Sequence, residues 1–135
     1  MKRVLGICVA ATVFAGSSLP AQATGGFACQ AYDSNVAFDF GGATARDAGA
    51  PIVHAGGMIQ INGGPQAQID RTHIVQYWND VRSFRMVITI NPPQGTSIQL
   101  NINAAGNGDW TYAGSYSVRA GQLQRSGRVT CDARG

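Results

Sequence analysis

The residues best suited to chemistry are the run 70–73, which reads Asp-Arg-Thr-His, and a second histidine, His54. A histidine oriented by a carboxylate can act as a general base, two histidines can share acid and base roles, and a nearby arginine can stabilise an anionic intermediate. However, residues three apart on a strand point to opposite faces, and Asp70 and His73 lie on a predicted strand. The pattern therefore favours a turn aspartate and a surface histidine, and we assign no catalytic residue.

Metal, cofactor and serine chemistry also lack their usual motifs. The sequence contains no HxH, HExxH, paired CxxC or GxSxG, which are the spacings typical of metal ligands and of an activated serine. The glycine pairs at 41–42 and 63–64 precede no predicted helix, so they do not indicate a phosphate-binding loop. The sequence predicts neither a metal site nor a cofactor.

Two groups of aromatic and arginine side chains are candidates for recognition. The first comprises Tyr77, Trp78, Arg82 and Arg85, residue types that protein interfaces favour as anchors when they are exposed. We take these four as the candidate partner-binding residues. The alternative is that Tyr77 or Trp78 plugs one end of a barrel and the arginines are merely solvated.

The second group comprises Trp110, Tyr112 and Tyr116, which share one parity of an alternating run. If they line a barrel interior, their polar tips could contact a small ligand that enters at the mouth. A barrel of about eight strands has room for side chains or for one small ligand. The pattern favours a core role for the three residues, with ligand lining as the alternative.

Short strands must position all of these residues. Apolar residues recur at every second position in the stretch 83–131, beginning with Phe84, Met86, Ile88 and Ile90. Such alternation buries one parity and leaves the other in water. With similar runs upstream, and Gly-, Pro- and Asn-bearing turns between them, we count eight strands and no helix. This predicts an all-β fold, either a small antiparallel eight-stranded barrel or a two-sheet sandwich.

The two downstream cysteines, Cys29 and Cys131, favour the barrel. Two cysteines in an exported domain most simply form one disulfide. Because a disulfide needs Cα atoms within about 7 Å, the first and last strands must be neighbours, which removes exposed sheet edges. The competing interpretation is that Cys29 carries a lipid. The three residues before it, Gly-Phe-Ala, lack the leucine that such sites usually have, and Cys131 would be left unpaired.

Residues 1–23 resemble a secretory signal peptide. Lys2 and Arg3 give a basic start, an apolar run follows, and Ala-Gln-Ala at 21–23 offers a cleavage pattern. Cleavage would take 23 residues from 135 and leave 112, residues 24–135, as a single domain. The apolar run falls short of the roughly 20 residues that span a bilayer. We expect a periplasmic or secreted protein with no membrane span in its mature chain.

Charge narrows the class of partner. Removing Lys2 and Arg3 reduces the ten basic residues to eight arginines, against seven aspartates, for a net charge of +1. A net charge of +1 is low for a nucleic-acid-binding domain, which normally carries a dense basic patch. We expect a non-enzymatic exported binding protein that recognises a protein or an envelope component, for example an inhibitor of a secreted or host hydrolase. A carrier of small apolar ligands is the alternative, and a small histidine-dependent hydrolase is the third hypothesis.

The outline of a disulfide-tied eight-stranded barrel is similar to that of small exported lysozyme inhibitors. Their Ser-Gly-x-x-Tyr loop has no counterpart here, because Ser126-Gly127 is followed by Arg128-Val129 within a predicted strand. The similarity is one of architecture, and a shared fold does not establish a shared function.

Overall fold

The structure is a computed structural model that describes residues 25–45 and 51–134. Predictions about residues 1–23, including the signal peptide, lie outside the described residues. The elements in chain order are β1 (Gly25–Tyr32), β2 (Val36–Thr44), β3 (Ile52–Ile61), β4 (Gln66–Asp70), a 3₁₀ turn (Arg71–His73), β5 (Ile74–Asn79), β6 (Ser83–Ile90), β7 (Ile98–Gly106), β8 (Thr111–Ala120) and β9 (Leu123–Arg134). No helix of these segments is long and apolar enough to cross a membrane.

The strands form one antiparallel sheet that curls into a nearly closed barrel, in the order β4-β3-β2-β1-β9-β8-β7-β6-β5. The predicted all-β barrel is therefore confirmed, and the sandwich alternative is not what the chain adopts. Two ends can be distinguished. At the terminal end β1 begins and β9 finishes, and at the turn end lie the connections 33–35, 62–65, 91–97 and 121–122.

The predicted eight strands become nine because the fourth is divided. Direction alternates at every step of the sheet order, so β4 and β5 run the same way and form two halves of one long strand. The first half pairs with β3 and the second half with β6. The barrel is therefore incompletely closed between β4 and β5, because β4 does not pair with β6 and β5 does not pair with β3.

Local hydrogen bonds around Asp70 explain the division. The Asp70 carboxylate accepts a 2.7 Å hydrogen bond from the Thr72 N–H, and the Asp70 N–H donates a 3.0 Å hydrogen bond to His73 Nδ1. Side chains of this kind offer the backbone an alternative to the strand ladder. The chain consequently makes one tight turn between Arg71 and His73 before it resumes an extended course.

Inward side chains of alternate parity fill the barrel. The largest of them include Phe38, Phe40, Phe84 and Tyr116, each no more than 2 % exposed. Ring centroids of Phe38 and Tyr116 lie 5.3 Å apart in an edge-to-face arrangement, which contributes roughly 0.5–1.5 kcal/mol beyond burial of area. The alternation read from the sequence thus corresponds to the inner and outer walls.

Cys29 and Cys131 form the predicted disulfide. They face each other directly in the pairing of β1 with β9, and their Cα atoms are 4.1 Å apart. Such a short separation is typical of a non-hydrogen-bonded antiparallel pair, where side chains approach most closely. The bond joins the first and last strands, as the two cysteines predicted.

Candidate functional site

The predicted partner-binding segment divides between the two walls of the barrel. Tyr77 points inward, where its ring centroid lies 5.3 Å from that of Phe27 and 5.7 Å from that of Phe84. Trp78, the next residue, points outward and is 44 % exposed. Successive residues of a strand face opposite sides, so Tyr77 and Trp78 do not form one surface.

Trp78 and Arg85 are direct cross-strand neighbours on the outer wall, where β5 pairs with β6. Trp78 Nε1 donates a 3.3 Å hydrogen bond to Asp80 Oδ2, which positions the indole. The backbone N–H groups of Arg82 and Ser83 hold the pKa of Asp80 below its usual value, so this acceptor stays charged. The structure therefore places an exposed aromatic residue and an arginine side by side on the outer wall.

Arg82 lies apart from this pair, in the turn at the terminal end. Its N–H donates a 2.8 Å hydrogen bond to Asp80 Oδ1, and its carbonyl accepts one of 2.7 Å from the Gly106 N–H. The backbone of Arg82 thus ties two connections together. Of the two predicted arginines, Arg85 is the one brought beside Trp78.

A depression of about 710 Å³ lies next to Trp78 and Arg85 on the outer wall. Its lining includes two amides of β7, Asn101 and Asn103, together with Val87 of β6. The amides occupy the exposed parity of a strand whose other parity is fully buried. The alternation of the sequence predicts that Asn101 and Asn103 face solvent, but it does not predict that they lie next to Trp78 and Arg85.

A second depression, of about 490 Å³, continues along the same wall and shares Asn101 with the first. Arg119 of β8 and Gln124 of β9 line it. With the Gln124 amide turned so that its oxygen faces the guanidinium, it accepts hydrogen bonds of 3.2 Å from Arg119 Nε and 2.7 Å from Arg119 Nη2. The Gln124 backbone carbonyl also accepts a 3.0 Å hydrogen bond from Arg125 Nη1.

We call this continuous surface the amide–arginine face and define it by its outward side chains. The register places Trp78, Arg85, Asn103, Ser115 and Arg128 in one row across β5 to β9. Next to that row along the strands lie Gln76, Val87, Gln99, Asn101, Ser117, Arg119, Gln124 and Ser126.

The strands of the amide–arginine face carry arginines and almost no acidic residues, and one carboxylate, Asp80, adjoins the face through its hydrogen bond from the Trp78 indole. No aspartate or glutamate occurs on β6, β7 or β8, and the one aspartate of β9, Asp132, lies near the terminal end. Within the described ranges the only acid–base pair closer than 4.0 Å is His73 with Asp70, which is not part of this face. Among the described residues the arginines of this face therefore have no carboxylate partner within that distance, and Arg119 is bonded only to the neutral Gln124 amide.

The predicted general-base residues are used to build the turn between β4 and β5. Asp70 and His73 were expected on opposite faces, and this is wrong: the 3₁₀ turn brings His73 Nδ1 within 3.6 Å of Asp70 Oδ1. His73 Nδ1 accepts from the Asp70 N–H, so its neutral form carries the proton on Nε2. Hydrogen bonds from Thr72 are the main cause of a lowered Asp70 pKa. His54 is exposed on β3.

The second predicted group also divides. Tyr112 and Tyr116 are buried, and their hydroxyls donate hydrogen bonds of 2.6 Å to the Asp80 carbonyl and 2.7 Å to Asp33 Oδ2. Trp110 precedes β8 in a turn, has a positive φ of 66° and is 40 % exposed. The two tyrosines are thus core residues, and Trp110 lies outside the inner wall.

The described residues contain no group of three or more His, Cys, Asp or Glu side chains placed to hold a metal ion. Comparisons of the chain with protein-family models, with curated proteins and with solved structures find no match. The amide–arginine face is therefore the candidate functional site.

Proposed function

We propose that this chain is an exported, non-enzymatic binding protein that recognises an envelope component or a protein through the amide–arginine face. The observation that carries the proposal is the Trp78–Arg85 pair, which borders a depression of about 710 Å³ on the outer wall. Tryptophan and arginine are the residue types most enriched among binding hot spots. The export itself is proposed from residues 1–23 and from the disulfide.

The position of the pair on strands supports the proposal. Trp78 and Arg85 belong to β5 and β6, and the side chains beneath them, such as Phe84 and Met86, are almost fully buried. Binding groups that stand on regular elements over a packed core are held more precisely than groups on loops. Arg85, on a strand that pairs with a neighbour on each side, would therefore lose little free energy to ordering when a partner binds.

The filled interior favours the outer wall over an internal ligand. Phe38, Phe84 and Tyr116 occupy the inside of the barrel with almost no exposed area. The hydroxyls of Tyr112 and Tyr116, which would have been the polar contacts for a ligand, are already bonded within the chain. These contacts support the binding-protein proposal ahead of the carrier alternative.

A paired comparison of two double variants tests the proposal. W78A/R85A removes the central pair, whereas Y32A/R71A removes an exposed aromatic residue and an exposed arginine elsewhere on the barrel. Each purified variant is immobilised and exposed to fractionated envelope material, and the retained component is quantified. We expect W78A/R85A to lose about tenfold or more of the binding and Y32A/R71A to retain it. Equal retention by both variants would contradict the proposal.

A further inference from the structure

We infer that the ligand of the amide–arginine face is an extended acidic polysaccharide, a glycan that carries carboxylate, sulfate or phosphate groups. The inference rests on the proposed function and names its ligand class. Arg85, Arg119 and Arg128 project from this face, and no acidic side chain lies among them. Planar guanidinium groups bind carboxylate and phosphate through two parallel hydrogen bonds.

Neutral hydrogen-bonding groups fill the space between the arginines. Gln99, Asn101 and Asn103 occupy every second position of β7 and are exposed. Ser117 of β8 lies opposite Asn101, and Ser126 of β9 lies opposite Ser117. Carboxamides and hydroxyls both donate and accept, which is the pairing that sugar hydroxyls require. A ligand with many hydroxyls and periodic anionic groups matches this mixture of side chains.

The spacing of the arginines calls for an extended ligand. Arg85 lies opposite Asn103, which lies opposite Ser115 on β8, and Arg119 is four residues further along that strand. From strand separation and rise per residue, the Cα atoms of Arg85 and Arg119 are roughly 16 Å apart. A single small anion cannot reach both groups, whereas a chain of linked sugars can follow both depressions.

Trp78 gives one end of this path an aromatic surface. The indole is exposed and is fixed through its hydrogen bond to Asp80. The apolar face of a sugar ring can pack on such a ring through dispersion and burial of area. The ligand would therefore begin on the Trp78 ring and extend past Asn101 towards Arg119.

Other macromolecules fit this face less well. Val87 is the one large aliphatic side chain among the residues that define this face, whereas the centre of a protein interface is enriched in apolar and aromatic groups. A nucleic acid would call for a denser basic surface, yet the whole sequence contains one lysine, Lys2. Charge and hydrogen-bonding capacity together favour a glycan.

Calorimetric titration with defined polymers tests the ligand class. The probes are a polyuronate, dextran sulfate, neutral dextran and poly-glutamate, each added to the intact folded protein at low and at physiological salt. We expect the two acidic glycans to bind, with affinity that falls as salt rises. Dextran should bind at least about tenfold more weakly than the acidic glycans because it lacks anionic groups. Poly-glutamate should also bind at least about tenfold more weakly, because it lacks sugar hydroxyls.

Variants locate the site. R85A/R119A should weaken binding of the acidic glycans by about tenfold or more, and W78F should retain more affinity than W78A because it keeps an aromatic ring. R71A, an exposed arginine outside the face, is the matched control and should bind like the unmodified protein. Circular dichroism and thermal unfolding confirm that each variant is folded.

Distinct outcomes overturn the inference and the proposed function separately. Failure of both acidic glycans to bind, or equally tight binding of dextran or poly-glutamate, overturns the ligand class. The proposed function survives that result if an envelope component is still retained in a manner that depends on Trp78 and Arg85. If R85A/R119A binds acidic glycans as tightly as R71A does, this face is not their site.

Discussion

The Tyr116 hydroxyl donates a 2.7 Å hydrogen bond to Asp33 Oδ2, across 83 residues of sequence. The same aspartate accepts hydrogen bonds of 2.7 Å from the Asn35 N–H and 2.9 Å from the Val36 N–H. One carboxylate therefore shapes the turn between β1 and β2 and ties it to β8 at the turn end. Gly127 of β9 leaves the space in which this bond forms, because a Cβ there would overlap both partners.

Replacing Gly127 with alanine should break this contact. The added methyl group would displace the Asp33 carboxylate and the Tyr116 hydroxyl, and leaving a partly buried polar group without its partner costs about 1–3 kcal/mol. We expect G127A to lower the free energy of unfolding by that amount in urea titrations. Gly56 is the matched control, since no atom lies within 4 Å of the place that a Cβ would take there. Equal losses for G127A and G56A would contradict the prediction.

The Asp33–Tyr116 hydrogen bond should also make the free energy of unfolding fall at low pH. Burial raises the pKa of Asp33, but hydrogen bonds from Tyr116, Val36 and Asn35 outweigh burial and leave it below the ordinary 3.8. Because the folded pKa lies below the unfolded one, this stabilisation is present above the unfolded pKa and is lost as pH falls through the folded pKa. We expect Y116F to raise the pKa of Asp33, measured by NMR titration of its carboxyl. An unchanged pKa would show that the hydroxyl does not bond this carboxylate.

The buried tyrosines should make the free energy of unfolding fall at alkaline pH. Burial is the main cause of raised pKa values for Tyr77, Tyr112 and Tyr116, above the ordinary 10.0. Their stabilising effect is present below the unfolded pKa and is lost as pH rises through the folded values. Near-ultraviolet phenolate absorbance should therefore appear at higher pH in the folded chain than in urea. Coincident titration curves would contradict this expectation, and Y116F should reduce the difference.

Removal of the disulfide should cost much of the stability. Cys29 and Cys131 are 102 residues apart in sequence, and chain-entropy arguments assign a loop of that length roughly 4–5 kcal/mol. We expect C29A/C131A to unfold at a markedly lower urea concentration than the oxidised protein. A reducing agent should lower the midpoint of the unmodified protein and leave that of the double variant unchanged. Similar midpoints for all samples would argue against the bond.

The divided strand should be the least protected part of the sheet. β4 and β5 each pair with a single neighbour, whereas β7 and β8 pair on both sides along their length. Strands with fewer partners open at a lower free energy. Hydrogen exchange measured by mass spectrometry should be faster in residues 66–79 than in β7 and β8. Uniform protection across the sheet would contradict this prediction.

Much of this barrel could be predicted because its alternation is strong. In β7, Ile98, Leu100 and Ile102 alternate with polar residues, and a single parity can be buried there. The division of the fourth strand could not be predicted in the same way. Ile69 is buried and Ile74 packs against the core, although an odd number of positions separates them. The turn between them alters the phase, so neither parity of 66–78 is consistently apolar.

The sequence predicted the aromatic and arginine residues at one end of the amide–arginine face, but not how far that face extends across the sheet. Trp78 and Arg85 are residue types that commonly anchor binding interfaces. Alternation along a strand also predicts that Tyr77 and Trp78 lie on opposite walls. The exposed amides of β7 resemble those of any solvated strand. Arg119 and Gln124 become neighbours of Asn101 only through the register of three strands, which alternation alone does not determine.

The bond between Cys29 and Cys131 makes everything between these residues a covalent ring. The connections 33–35, 62–65, 91–97 and 121–122 all lie within that ring. A protease that nicks one of them leaves a single molecule whose pieces stay held by sulfur and by the barrel core. Cleavage of such a protein would pass unseen in electrophoresis until the sample is reduced, and the nicked form would keep the outer wall on which recognition is proposed to depend.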